Sequence, residues 1–338
     1  MTTESLPRHT RHAAPSHEPP AAVRATGVVL VLAVVVAIVA IAFALPAAHS
    51  RPHDVPIGAA GPQAASGQLA DLLEQHAPGA FDITYYPGEE ALRDAIRNRD
   101  VYGGISFGPD GRTLLIATGA SPAVAQLLSQ VGNGIAQHAG VPLRTEDLAP
   151  PTAEDPRGAG LAAATLPITL AGLLPAVALV LVLKREVWTR FAAAVVFAGL
   201  AGGTIAALLR YVLGSIEGNF WGVAGGLTLG LLAAGLFLLG LGSLFGRAGL
   251  AVGAVLALLL GNPLSGLASA PELLPSGWGA LGQWLPQGAT ATLLRSTAFF
   301  DGAGATMAIA VLACWALAGT VLIVIAATRN GKELRAAR

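Results

Sequence analysis

Hydrophobic positions in this chain fall into two patterns. Six stretches are apolar almost without interruption: Gly27 to Leu45, Leu161 to Leu183, Phe191 to Leu213, Trp221 to Leu244, Ala248 to Gly261 and Thr306 to Thr328. A helix rises about 1.5 Å per residue and a bilayer core is about 30 Å thick, so a crossing takes roughly 20 apolar residues. The run Ala248 to Gly261 reaches only about 21 Å, and crosses by bending, by thinning the bilayer or by continuing past Asn262-Pro263. The first run follows Arg24 and precedes the small residues of "ALPAAHS". Its length exceeds the usual signal-peptide core, so it reads as an uncleaved anchor, with a signal peptide as the alternative.

Between the first and second runs the pattern changes. "HDVPIGAAGP" and "FDITYYP" read as strands, and "SGQLADLLEQHAPG" places Leu69, Leu72 and Leu73 at helical spacing before a Pro-Gly stop. "GEEALRDAIRNRD" predicts a helix with Leu92, Ala95 and Ile96 on one face, and "VYGGISF" with "TLLIATGA" predicts a hairpin through "GPDGR". "SPAVAQLLSQVGNGIAQHAG" has a Ser-Pro start, a stripe of Val124, Leu127, Leu128, Val131 and Ile135, and a glycine end. The expected order is βαβαββα, followed by the polar, Pro-rich "LRTEDLAPPTAEDPRG" as a linker back to the membrane.

Composition agrees with the runs. Hydrophobic residues make up 54% of the 338 residues and charged ones 12%, which is a membrane composition. Net charge is zero, so no global field recruits nucleic acid. Two Lys against eighteen Arg, with abundant Ala and Gly, hints at a high-GC bacterial genome. Basic residues mark cytoplasmic loops. With the N-terminus inside, six crossings leave a balance of +7 inside and −7 outside. Both termini are therefore expected in the cytoplasm of a bacterial plasma membrane.

The expected fold class is an α-helical polytopic membrane protein of six transmembrane helices with a small α/β extracytoplasmic domain between the first and second. Its parts are a disordered tail (1–26), a first helix (27–46), the α/β domain and linker (47–157), a five-helix domain (158–328) with an outer re-entrant segment (262–305), and a tail (329–338). Among the residues within the runs, Gly199/Gly203, Gly226/Gly230 and Gly242/Gly246 stand at the spacing that lets helices approach closely, and Pro167 and Pro175 predict kinks.

Candidate chemistry is sparse. No histidine lies within a run, and no intramembrane zinc pair, Ser/Lys dyad or GxxxxGK[ST] phosphate cradle occurs. The chain is not expected to be an enzyme, to hold a cofactor or to hydrolyse ATP by itself. His49, His53 and Asp54 read as a flexible juxtamembrane stretch rather than a metal site; His9, His12 and His17 lie in the tail. The charged residues of "GEEALRDAIRNRD" read as a solvated face with i,i+4 pairs. Cys314 reads as a buried small hydrophobe. Arg210, the one charge inside an apolar run, reads as an anchor or a substrate contact, with Glu217 its nearest partner by sequence.

The stretch Gly261 to Gly302 carries four prolines, two tryptophans, a Glu, an Arg and an Asp between apolar runs. Trp278, Leu281, Trp284 and Leu285 line one short helix, suited to the interface. Ala291, Leu294 and Ala298 with Leu293 and Phe299 predict a second, amphipathic one that carries Arg295. Neither is long enough to cross, which predicts a pair of helices dipping into the outer leaflet.

The order of span, α/β domain containing "EEALRDAIRNRDVYGGISF", clustered spans, re-entrant pair and last span resembles the ABC-2 type permeases. Through "GNPLSG", "ELLPSGWGALGQWLPQGA" and "LLRSTAFFDGAG" the chain is similar to their YhgE/Pip-like branch. The Pro-rich stretch before Gly27 lacks the amphipathic interface helix common in that family. The resemblance implies an exporter of a hydrophobic or amphiphilic compound that forms a homo- or heterodimer in the lipid bilayer and recruits a separate nucleotide-binding ATPase subunit. It implies a gate or pathway drawn from Arg210, Glu217, Asn262, Pro263, Trp278, Trp284, Arg295 and Asp301, and a docking loop "KREVWTR" with Lys184, Arg185 and Arg190. The competing expectation is a non-transporting envelope protein whose α/β domain binds a partner or cell-surface ligand.

Overall fold

The computed structural model describes residues 20–108, 111–140, 142–184, 186–267 and 269–336. The tail histidines, the tip of the "GPDGR" turn and Arg185 lie outside the described residues. The chain divides into two compact units, Met1–Ile41 and Ala42–Arg338. Five helical stretches are long and apolar enough to cross a membrane: Ala21–Pro46, Ala159–Val182, Val187–Val212, Phe220–Gly261 and Thr306–Arg329. The chain is a polytopic membrane protein.

Helix α1 (Ala21–Ala48) makes up the described part of the first unit and runs on past it. It starts ahead of Gly27, so residues 21–26, assigned above to a disordered tail, are helical. The helix formers Ala21, Ala22, Arg24 and Ala25 directly follow Pro20, a residue that cannot sit farther inside.

The second unit contains a five-stranded sheet, β1 (Val55–Ala60), β2 (Phe81–Tyr86), β3 (Gly103–Gly108), β4 (Gly111–Ile116) and β5 (Leu143–Asp147), in the order β2-β1-β3-β4-β5. Strand β1 pairs in parallel with β2 and β3, β4 runs antiparallel to β3, and β5 runs parallel to β4. Helices α2 (Gln63–His76), α3 (Glu89–Arg97) and α4 (Pro122–Ala139) lie where the periodicity predicts them. The α4 ends show why. The Ser121 hydroxyl accepts from Val124 N at 3.3 Å, Pro122 opens the helix, and Gly140 closes it at φ 61°. Leu92 and Ile96 of α3 are fully buried on one side of the sheet, and Val55, Leu69 and Val124 form the core on the other.

Two expectations fail here. The order is βαβαββαβ, because "LRTED" is a strand rather than the start of a linker. Its residues are half-exposed, so at the sheet edge it lacks the apolar alternation that marks a strand. Nor is the rest of that stretch loose. Gly119 N donates to Ala149 O at 2.8 Å, the buried Thr152 hydroxyl to Gly214 O at 2.5 Å, and Asp155 accepts from Ala159 N and Gly160 N at 2.9 and 2.8 Å.

The helical part comprises α5 (Ala159–Ala163), α6 (Thr165–Val182), α7 (Val187–Ala207, continued by a π turn Leu208–Val212), α8 (Phe220–Leu256, continued by a π turn Ala257–Gly261), α9 (Trp278–Gln283), α10 (Pro286–Phe299) and α11 (Thr306–Ala336). Pro175 lies inside α6, while the break at Ala164 comes before Pro167. The fourth and fifth apolar runs share the element α8, which is interrupted at Gly246 (φ 61°, ψ −137°). A methyl group on Gly253 would lie 2.5 Å from Leu238 Cδ1, and one on Gly242 2.5 Å from Leu250 Cδ2. In a straight helix Leu238 and Gly253 would stand about 22 Å apart. The chain therefore doubles back at Gly246, and only glycine accepts that backbone conformation without strain.

Helix α8 is the hub. Just over half of its apolar window is buried (56%), against 28% for the windows of α5–α6, α7 and α11. Glycines make this closeness possible. A Cβ on Gly172 of α6 would sit 3.2 Å from Ala234, one on Gly240 2.7 Å from Leu322 of α11, and one on Gly230 would strike Thr290 of α10. Gly199 and Gly203, by contrast, face open space. Cys314 is exposed rather than buried, because α11 packs on α8 by one face only and Cys314 lies on the other.

Candidate functional site

The bundle has two unlike ends. At one, the Arg190 guanidinium donates to Ser243 Oγ (3.1 Å) and Lys184 O (2.6 Å), which ties Lys184 and α7 to α8 a few residues before Gly246. At the other, Thr152 holds Gly214, and Asn219 Nδ2 donates to Thr297 O at 3.1 Å. The sheet domain and the segment 262–305 meet at that second end.

Their junction is built from main chain and charge. Ser50 Oγ and Arg51 N both donate to Leu273 O (2.6 and 3.1 Å), and His53 N donates to Glu272 O at 2.9 Å. The stretch 50–53, expected to be flexible, is thus docked. Tyr102, just before β3, donates its hydroxyl to Glu272 Oε2 at 2.8 Å. Arg99, in the left-handed region at φ 65°, donates to Thr292 O at 3.1 Å and to Ser296 Oγ, and lies over the Phe300 ring. Arg295, 5% exposed, clamps Gly266 O and Leu267 O at 2.8 and 2.7 Å.

These groups surround a cleft of about 420 Å³ whose wall includes His53, Arg99, Tyr102, Glu272, Gln283 and Arg295. Burial, then the charge and hydrogen bond of Glu272, push the Tyr102 phenol above its ordinary range. Burial lowers both guanidinium groups, Arg295 to about 10, where the nearby Arg99 charge adds to the fall. Both stay charged at neutral pH.

The structure gathers some of the residues expected at a gate and scatters others. Arg295 lies in the cleft wall; Trp278 on α9 and Trp284 directly after it are exposed, with Trp315 Nε1 donating to Trp284 O at 2.8 Å. Asn262, buried, accepts from Thr169 Oγ1 at 3.3 Å, and Pro263 is half-buried next to it. Asp301 is exposed in a turn at φ 51°. Arg210 donates to the main-chain carbonyl of Glu217, not to its carboxylate, and lies over the Tyr211 ring. Helix α10 is buried from Gly288 to Ala291 and from Leu293 to Thr297, so it is a central element and not the amphipathic one expected.

Of the docking residues, Lys184 is exposed, but Arg190 is 3% exposed and bound inside. Its guanidinium is held by Ser243 Oγ and Lys184 O. Arg99, Tyr102, Glu272 and Gln283 were not singled out from the sequence. Arg99 reads there as part of a solvated helix, and nothing local signals its turn toward a segment almost two hundred positions away. Among the described residues no group of His, Cys, Asp and Glu could hold a metal ion. No family model, no curated protein and no solved structure matches the chain.

Proposed function

We propose that this chain is the membrane subunit of an ABC-2 type exporter of hydrophobic or amphiphilic compounds. The reversal at Gly246 carries the reading, because it turns one 42-residue apolar element into two antiparallel arms. Counted with the other four helices these arms make six crossings. The Lys184 loop, the Gly246-Arg247 turn and the basic C-terminal end of α11 then fall on the cytoplasmic side, as positive charge requires. The sheet domain and the segment 262–305 fall outside, where α9 and α10 close the outer mouth of the bundle.

In this reading Lys184 and Arg247 face a separate ATPase, and the protein works as a homo- or heterodimer in the bacterial plasma membrane. An envelope protein that only binds a ligand is the second reading, favoured by the cleft between the sheet domain and the segment 262–305. Affinity purification of the detergent-solubilised chain at low expression, followed by mass spectrometry, separates the two. A stoichiometric ATPase lost on Lys184→Glu with Arg247→Glu is the expected result. Recovery of the chain alone, or with envelope proteins only, overturns the exporter.

A further inference from the structure

The cleft beneath the sheet domain sets two guanidinium groups, Arg99 and Arg295, against Glu272 and Asp54, and holds one buried hydrogen-bond donor that its own residues leave unpaired. The Arg99 charge lies close enough to lower Arg295, and both guanidinium groups have lost much of their water. The one carboxylate deep in the wall, Glu272, already accepts from Tyr102 at 2.8 Å; Asp54 is exposed. Gln283 lines the same cleft, and its amide nitrogen Nε2 is buried without a hydrogen-bond partner, while its Oε1 accepts from Thr292 Oγ1 at 2.6 Å. A buried donor left unpaired is costly, and it is commonly retained where a ligand supplies the acceptor.

The wall also has an apolar part, with Val101, Ala120, Pro271, Leu274 and Ala280, beside the polar His53 and Ser276. A volume of about 420 Å³ lies within the range of roughly 300–1,000 Å³ that holds a small ligand, and excludes a folded partner. Trp278 on the adjoining helix α9 and Trp284 at its end are of the type that sits at the headgroup level.

From this juxtaposition we infer that the cleft is a binding site for a phosphate group, held by Arg99, Arg295 and the Gln283 amide, with an apolar wall for the first part of an attached chain. Guanidinium and amide donors suit an oxyanion, and an anion there offsets two crowded positive charges. The phosphate has two sources, a lipid headgroup or free phosphate. The inference concerns the cleft alone and stands whether or not the chain exports anything.

The test uses the full chain in neutral detergent and reads its thermal unfolding with inorganic phosphate, with phosphatidylglycerol and with phosphatidylcholine. Gln283→Glu keeps the acceptor for Thr292 while placing a fixed negative charge where the anion would sit. The expected result is a midpoint at least about 3 °C higher with phosphatidylglycerol or inorganic phosphate. Gln283→Glu should weaken that response at least about tenfold in the concentration required. A response to phosphatidylglycerol alone identifies a lipid headgroup; a response to inorganic phosphate identifies the phosphate as sufficient. Should Gln283→Glu not fold, Gln283→Met removes the amide at similar volume and must also weaken the response. No rise with either probe, or a rise undiminished in the variants, overturns the site.

Discussion

The Tyr102 hydroxyl donates to Glu272 Oε2 at 2.8 Å across 170 positions of sequence, and this bond joins the sheet domain to the segment between the last two long apolar elements. Arg99 and Arg51 reach the same segment through main-chain carbonyls. The sheet therefore does not hang from the membrane part on a linker. It is seated on the segment 262–305 through Leu273, Glu272 and Thr292.

Alkaline pH tests this bond. Burial and Glu272 raise the Tyr102 phenol above the ordinary tyrosine value of 10.0, so the fold favours its protonated form. That contribution is complete below pH 10 and is lost as pH rises further. Arg295, lowered to about 10, acts in the opposite direction over the same range, so the informative quantity is the difference between Tyr102→Phe and the parent. We expect Tyr102→Phe to cost about 1 kcal/mol at pH 7 and the difference to shrink steadily as pH rises above 10, read from thermal unfolding.

Acid tests the edge strand. Arg93 grips Glu146 of β5 through two bonds of 2.7 Å and also bonds Glu89, which holds the Glu146 carboxyl below its ordinary 4.5. A carboxylate lowered by folding stabilises above that value and loses its contribution as pH falls through the folded one. Glu146→Gln should cost about 0.5–1 kcal/mol at pH 7, given the partial exposure, and should flatten the acid limb of the stability profile. An unchanged acid limb would show that the pair does not fasten β5.

The turn at Gly246 tests the helix reversal. A Cβ there meets open space, so any cost of Gly246→Ala comes from the backbone at φ 61°, ψ −137° and not from crowding. We expect a loss of about 1–3 kcal/mol, seen as a lower unfolding midpoint in detergent. A neutral Gly246→Ala would argue for a continuous helix through that point.

Two glycines of the apolar runs should behave oppositely. A Cβ on Gly319 of α11 would run into the α8 main chain at Leu236 and Phe237, whereas one on Gly203 of α7 meets nothing within 4 Å. Gly319→Ala should force α11 off α8 and cost several kcal/mol, on the order of an overpacked core. Gly203→Ala should be neutral or slightly stabilising, as alanine is in an exposed helix. Melting curves of the two variants side by side check both.

Features that depend on near neighbours are legible in the sequence. Uninterrupted apolar runs dictate membrane helices because a buried backbone in lipid must bond to itself. Leu92 and Ile96 mark the buried face of α3, and Ser121 and Gly140 mark the ends of α4, because helix periodicity and capping are local. Where local signals were weak the reading failed. The edge strand Leu143–Asp147 has no buried face, and α10 is buried on nearly all sides, so neither shows the expected periodicity.

Long-range packing set the rest. It brought Arg99 and Tyr102 against Thr292 and Glu272, turned Arg190 inward to Ser243, and left Cys314 facing out. Contacts between positions so far apart are set by how whole elements pack. Side-chain type along the chain carries no record of which distant carbonyl a guanidinium will meet.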